Sequence, residues 1–328
     1  MKKRSSRLFV VVVLALMMVL SACNSGDKET SGGEKKGAAK NISIATGGTG
    51  GTYYPLGGSM ANIVSEHTGM EANAQSSGAS AENLTAIKNG EVDIAFTQTD
   101  IASYAMSGKE MFKEAKIDNF HGIGTLYPET IQIVTAKASG INSVQDLKGK
   151  AVSVGAPGSG TAPNAQQILE VHGLSFDDIK KRDLSFDEST EGIQDGSIDA
   201  AFITAGTPTG AVEALSAQKD IKIIPIEKEK AQELIQKYPY YSEDTVAKGT
   251  YKISEDVPTV AVKAMLVAGD TLDEETVYEL TKAIFDHTDQ ITHAKGKLIK
   301  AETALEGLGD VTLHPGAEKY FKEKGIAK

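Results

Sequence analysis

Two stretches of this sequence have the residue types and spacing to hold an anion. The first is Gly47-Gly-Thr-Gly-Gly-Thr-Tyr-Tyr54, which follows the short apolar run Ile42 to Ala45 and precedes Pro55. The second is Gly155-Ala-Pro-Gly-Ser-Gly-Thr161, which follows Ala151-Val-Ser-Val154. Each reads as a strand, a glycine loop and a helix start. A helix that opens on such a loop leaves its first backbone N–H groups without intrahelical partners, and these suit a carboxylate or a phosphate. The candidate ligand-binding residues here are Gly50, Gly51, Thr52, Tyr53 and Tyr54, and Gly158, Ser159, Gly160 and Thr161. The glycine amides, and the threonine and tyrosine hydroxyls, would be the donors.

Further candidates come from strand ends, because ligands of open α/β sheets bind outside the carboxyl ends of strands. Val92 to Thr97 reads as a buried strand and places Gln98 and Thr99 at its end. Asn83 sits in the first turn of a helix that Ser80 can cap. Ile198 to Ile203 reads as a second such strand, leading to Thr204, Gly206 and Thr207.

Other chemistries are poorly served. The second glycine loop has no lysine before Thr161, so it is not a nucleotide phosphate loop. No Gly-x-Ser-x-Gly nucleophile turn occurs. Histidines 67, 121, 172, 287, 293 and 314 show no metal-ligand spacing. After residue 22 the only arginine is Arg182, in the charge run Lys180 to Asp183, so an arginine clamp on a carboxylate is not expected. No cofactor, metal or catalytic residue is expected.

The elements that must position these loops repeat. Leu56, Met60, Ile63 and Val64 fall at helical spacing behind Pro55, which fits a first helical turn. Pro163 to Val171 continues the second loop in the same way. Each copy then reaches a matching strand, Gly90-Glu-Val-Asp-Ile-Ala-Phe96 and Gly196-Ser-Ile-Asp-Ala-Ala-Phe202. Order and spacing together imply two lobes of related architecture, each offering one loop.

Two extended segments, Thr130 to Lys137 leaving the first lobe and Thr259 to Val267 returning, would cross between lobes as a hinge. Tyr127-Pro-Glu129 is expected to interrupt the strand before the first crossing. Tyr238-Pro-Tyr-Tyr241 reads as an aromatic turn packed under the hinge. Asp273 can cap a helix carrying Val277, Leu280 and Ile284. Leu298, Leu305 and Leu308, then Ala317 and Phe321, suggest two more helices on the first lobe. The boundaries expected are 41–135 with 257–328 for lobe 1, and 136–256 for lobe 2.

The chain begins with a basic head (Lys2, Lys3, Arg4, Arg7) and an apolar run from Leu8 to Leu20, the pattern of a secretory signal too short for a comfortable membrane span. Leu20-Ser-Ala-Cys23 follows and resembles the lipobox of bacterial lipoproteins. The resemblance implies cleavage after residue 22 and lipid attachment at Cys23. Residues 23–40 would then be a flexible tether, being rich in Gly, Ser, Lys and Glu with no apolar cluster. Cys23 is the single cysteine, so no intrachain disulfide forms. The formal charge is −10. Removing a signal with four basic and no acidic residues takes it to about −14, which argues against nucleic-acid binding.

Gly48-Thr-Gly-Gly-Thr-Tyr-Tyr-Pro-Leu-Gly-Gly58, Gly155 to Thr161, Ile198-Asp-Ala-Ala-Phe202 with Gly206-Thr-Pro208, and Tyr238 to Tyr241 with Gly249-Thr-Tyr251 resemble, in that order, the TAXI family, the solute-binding subunits of TRAP transporters. The resemblance covers nearly all of residues 42–326. It departs at Val246-Ala-Lys248 and at Ala162. It implies an α/β, two-lobed periplasmic-binding-protein fold (type II-like) that closes on a small carboxylate or amino acid, such as glutamate or glutamine. The solute would pass to a TRAP membrane permease driven by an ion gradient, commonly sodium. The protein would stand as a monomer on the extracytoplasmic face of the bacterial membrane, held by its lipid. A solute-sensing module for a membrane kinase, or an enzyme on the same fold, are the other readings.

Overall fold

Ile42 and Ile44 alternate with polar neighbours and are fully buried, which makes Asn41–Ala45 a strand, β1, with one face in the core. The computed structural model describes residues 40–327, so the expected signal segment and Cys23 lie outside the described residues, as does all of the expected tether except Lys40. Behind the first glycine loop, α1 (Tyr53–His67) buries Leu56, Met60, Ile63 and Val64, the face its spacing predicts. The chain continues through β2 (Glu71–Gln75), α2 (Ser80–Lys88), β3 (Ile94–Gln98) and α3 (Thr99–Ser107) to the long strand β4 (Phe120–Ala136).

The same order then recurs. β5 (Ala151–Ser153) leads through the second glycine loop to α4 (Thr161–Val171), β6 (Lys180–Arg182), α5 (Phe186–Asp195) and β7 (Ala200–Ala205). The chain goes on through α6 (Gly210–Gln218), β8 (Ile221–Ile224), α7 (Lys228–Lys237) and β9 (Ser242–Val246). The second long strand, β10 (Val257–Gly269), follows, and then α8 (Glu274–Asp286) and α9 (Pro315–Glu323).

The sheet runs β2-β1-β3-β10-β4-β7-β5-β6, with β8 added to β4 and β9 to β10. In one half, β1 lies parallel to β2 and β3, and β10 runs antiparallel to β3. In the other, β5 lies parallel to β6 and β7, and β4 runs antiparallel to β7. The repeated aspartates explain why the repeat is more than a composition pattern. Asp93 accepts the Ser43 amide at 2.8 Å, and Asp199 accepts the Ala151 amide at 2.8 Å. Each tethers the first strand of its unit to the third.

β4 and β10 serve both half-sheets. The end of β10 pairs with the start of β4, Ala261 to Lys263 pair with Thr130 to Pro128, and beyond that β4 turns to β7 and β8. Apolar side chains pack around Phe96, Leu266, Ile284 and Phe321 on one half, and around Ile133, Ile168, Phe202 and Val260 on the other.

Several expectations are corrected. β4 is not interrupted at Tyr127 to Glu129. Pro128 falls beside Lys263, where the β10 register shifts, and a strand proline is tolerated where no ladder N–H is needed. The Lys180 to Asp183 charge run is mostly exposed, and Lys180 to Arg182 also form the strand β6 at the sheet edge, where charged side chains discourage further pairing. Ser80 is the first helical residue and not the cap. Pro208 does not start a helix: the Thr207–Pro208 peptide is cis, and α6 begins at Gly210. Leu298, Leu305 and Leu308 lie among short 3-10 turns. Asp273 does cap α8, accepting the Thr276 amide at 2.8 Å. No helix among the described residues is long and apolar enough to cross a membrane.

Candidate functional site

Both glycine loops come to one place, because each follows the first strand of its half-sheet and the halves face each other across β4 and β10. Between them is a cavity of about 40 Å³. That is room for roughly three waters at ~10–15 Å³ each, so a solute of amino-acid size needs the half-sheets further apart than they stand here.

Eight of the nominated residues line it: Gly51, Thr52, Tyr53, Gln98, Ser159, Gly160, Thr161 and Thr204. The wall also includes Gly47 and Gly48 of the first loop, and Ala79, Ser80, Glu129, Phe186 and Ala205, none of them among the nominated contacts. Glu129 has a signal of its own, an acidic residue between two apolar runs, which the expectation of a strand break at Tyr127 to Glu129 hides.

Two hydroxyls in the wall have no hydrogen-bond partner. Ser159 and Thr204 are 7% and 6% exposed, and the Oγ of one and the Oγ1 of the other are unpaired. A buried polar group without a partner costs about 1–3 kcal/mol, so such groups call for an explanation. Beside them, α4 opens at Thr161 behind Gly160, with no side-chain cap. Its first amides therefore face the cavity end of the helix, where the helix field favours negative charge.

Glu129 is the one acidic side chain in the wall, and no lysine, arginine or histidine joins it there. The Tyr53 hydroxyl donates to Glu129 Oε2 at 2.7 Å. Burial pushes the Glu129 carboxyl well above the usual carboxylate range. The hydrogen bond from Tyr53 and the charge of Lys295 oppose that shift. Burial and the adjacent Glu129 push the Tyr53 phenol up as well. Lys295 reaches from the 3-10 turn after α8, with Nζ 3.5 Å from Thr207 Oγ1.

The other nominated residues hold the surroundings together. Gly50 lets the first loop meet the second half: its carbonyl accepts the Ala211 amide at 3.0 Å, and a Cβ there would lie 2.2 Å from Asp187 Oδ1. The Gly158 carbonyl accepts the Ala81 and Glu82 amides at 2.9 and 3.1 Å, so the second loop caps α2. Asn83 is fully buried, and its amide nitrogen donates to the carbonyls of Thr46 and Phe96, both at 2.7 Å. The Gly206 carbonyl accepts the Thr52 hydroxyl at 3.3 Å. Thr99 is buried in the first turn of α3, Thr207 lies against Thr130 and Lys295, and Tyr54 points to solvent, 39% exposed. None of these seven lines the cavity.

Polar side chains join the halves beside the cavity. Gln98 donates to Asn164 Oδ1 at 3.0 Å, and Asn164 donates to Asp100 Oδ2 at 2.8 Å and to the Tyr241 hydroxyl at 2.8 Å. Gln167 donates to the Tyr104 hydroxyl at 3.0 Å. Tyr241, expected as apolar packing, thus also carries a hydrogen bond here. Gly160 permits this approach, since a Cβ on it would fall 1.3 Å from Gln98 Oε1. Asp100 keeps one oxygen unpartnered, and burial raises its carboxyl from 3.8 to about 6.

Solved structures share this architecture at low identity. A protein from Bordetella bronchiseptica RB50 superposes with a TM-score of 0.53 at 20% identity, over 88% of this chain and 81% of that one. PhnD1 from Prochlorococcus marinus, solved with methylphosphonate, gives 0.53 at 13% identity over 79% and 88%. A putative L-cystine ABC transporter protein from Listeria monocytogenes gives 0.50 at 15% over 81% and 98%. The fold is the mixed α/β fold of periplasmic binding proteins. The model of the NMT1-like family matches residues 44–325, a span that takes in both half-sheets and every residue of the cavity wall. The chain belongs to the NMT1-like family.

Proposed function

We propose that this protein is an extracytoplasmic solute receptor. It closes on a small carboxylate or amino acid, glutamate-like or glutamine-like, and delivers it to a TRAP permease for uptake driven by an ion gradient. It performs no chemistry on the solute. The observation that carries this reading is the cavity between the half-sheets, with the unpartnered hydroxyls of Ser159 and Thr204 beside the opening amides of α4. The solute would supply the missing acceptors. Residues 41–135 with 257–328 form one lobe and 136–256 the other, with β4 and β10 as the hinge. The first 22 residues are a signal removed on export, and a lipid on Cys23 holds the receptor at the membrane.

The resemblance of both glycine loops to TAXI subunits supports a TRAP permease. The PhnD1 and cystine structures share the fold, and the second is named as an ABC transporter protein. Uptake into energised cells carrying this protein and its permease separates the two routes. Ion-driven delivery predicts that uptake stops when the sodium or proton gradient is collapsed and ATP is kept. Uptake that survives collapse of both gradients and stops on ATP depletion would contradict it.

A further inference from the structure

We infer that the solute carries a positively charged amino group, and that Glu129 is the residue that reads it. This rests on the receptor reading above and narrows its solute class to amino acids.

Glu129 sits on β4, opposite Val262 of β10, at the crossing between the half-sheets. It is 3% exposed and lines the cavity. A carboxylate has about four lone-pair positions, and the hydrogen bond from Tyr53 occupies one. Lys295 is the cation whose charge acts on this carboxyl, but it forms no ion pair with Glu129 and is engaged at Thr207. A buried acid so placed is poorly compensated by the protein itself.

The wall therefore has two chemical sides. Ser159, Thr204 and the amides opening α4 offer hydrogen-bond donors and a positive helix end. Glu129 offers an acceptor and, when ionised, a negative charge. A solute that is only anionic satisfies the donors and, wherever Glu129 is ionised, places a like charge beside it. An amino acid satisfies both, its carboxylate on the donors and its ammonium on Glu129. The ammonium would also supply the charge that favours the ionised carboxyl, against the desolvation that favours the protonated one. Tyr53 fixes the rotamer of Glu129, so the acceptor is positioned before the solute arrives.

The test is calorimetric binding of matched pairs that differ only in the amino group: L-glutamate and glutarate, L-glutamine and glutaramate, L-leucine and 4-methylpentanoate. Wild type and Glu129→Gln are compared, the latter keeping an acceptor for Tyr53. A charge-assisted hydrogen bond is worth about 1.5–3 kcal/mol, so the amino member of a binding pair should be roughly 10- to 150-fold tighter in wild type, and Glu129→Gln should erase most of that preference. The wild-type comparison stands whether or not the variant folds. Deaminated partners that bind wild type as well as the amino members would overturn the inference and leave the receptor reading intact. Discrimination retained in a folded Glu129→Gln would overturn the role of Glu129. Failure of every pair to bind would overturn both readings.

Discussion

At the scale of single residues, Ser159 and Gly160 carry the sharpest tests, because neither contributes to the ligand-free fold through a side-chain hydrogen bond. The Ser159 hydroxyl is buried and unpaired. Ser159→Ala therefore removes a group that only a solute satisfies. The ligand-free melting temperature should not fall, while solute affinity should drop by about 2- to 12-fold, the equivalent of 0.5–1.5 kcal/mol. Titration of a bound solute checks it, and an unchanged dissociation constant would take Ser159 out of the site. Gly160 acts by what it lacks. A valine there would drive its Cβ into Gln98 Oε1 and to 2.9 Å from Ile101 Cγ1, on the other half of the sheet. The expected result is loss of closure: affinity falls at least roughly 100-fold, because the contacts made only on closure are forfeited together. The ligand-free melt should stay close to wild type, and unimpaired binding would show that closure does not pass through this contact.

Between elements, α3 and α4 are latched by Asn164 on Asp100, and the latch carries a pH dependence. The Asp100 carboxyl sits at about 6 in the folded chain against an ordinary 3.8, through burial. The folded value is the higher one, so the charged form is disfavoured by the fold. Ionised Asp100 costs stability at pH 7, and that cost fades as pH falls through about 6 toward 3.8. Asp100→Asn keeps an acceptor for Asn164 and removes the charge. It should be more stable than wild type at pH 7 by on the order of 1–3 kcal/mol, with the gain shrinking to near zero by about pH 4. Paired denaturant melts across that range decide it, and a gain that grows on acidification would reverse the assignment. α1 and β1 give a packing test. A Cβ on Gly57 would lie 2.4 Å from Thr46 Cγ2 and 3.4 Å from Phe96 Cε2. Gly57→Val should destabilise by about 1–3 kcal/mol through overpacking, read in the same melts, and an unchanged midpoint would contradict this close approach.

These elements also show what a linear reading can reach. The two strand–loop–helix units were legible because glycine loops, helical spacing and the paired Gly-x-(Val/Ile)-Asp segments are local patterns. Asp93 and Asp199 even act alike, each holding an amide of the neighbouring strand. Six of the cavity-wall residues followed from the loops themselves, and Gln98 and Thr204 from the strand ends. Glu129 did not, because a proline beside it suggests a break, and only the register shift against β10 makes the strand continuous. Asn83 failed to reach the cavity for the converse reason: its position near a helix start was readable, but the carbonyls of Thr46 and Phe96 that absorb its amide were not. Long-range partners decide both.

For the whole molecule, the account is that two half-sheets joined by β4 and β10 enclose a small solute and release it unchanged. Thermal unfolding tests this most directly. The protein is unfolded and refolded to strip any carried solute, then melted against amino acids, dicarboxylates, keto acids and sugars. A solute at 100 times its dissociation constant should add about 2.7 kcal/mol to the bound state. At roughly 2–4 °C per kcal/mol for a chain of this size, that is a rise of several degrees. The account predicts such a rise with one or more amino acids, glutamate and glutamine foremost, and recovery of the solute chemically unchanged. A flat response across every carboxylate in the panel, or conversion of the bound compound into product, would contradict it.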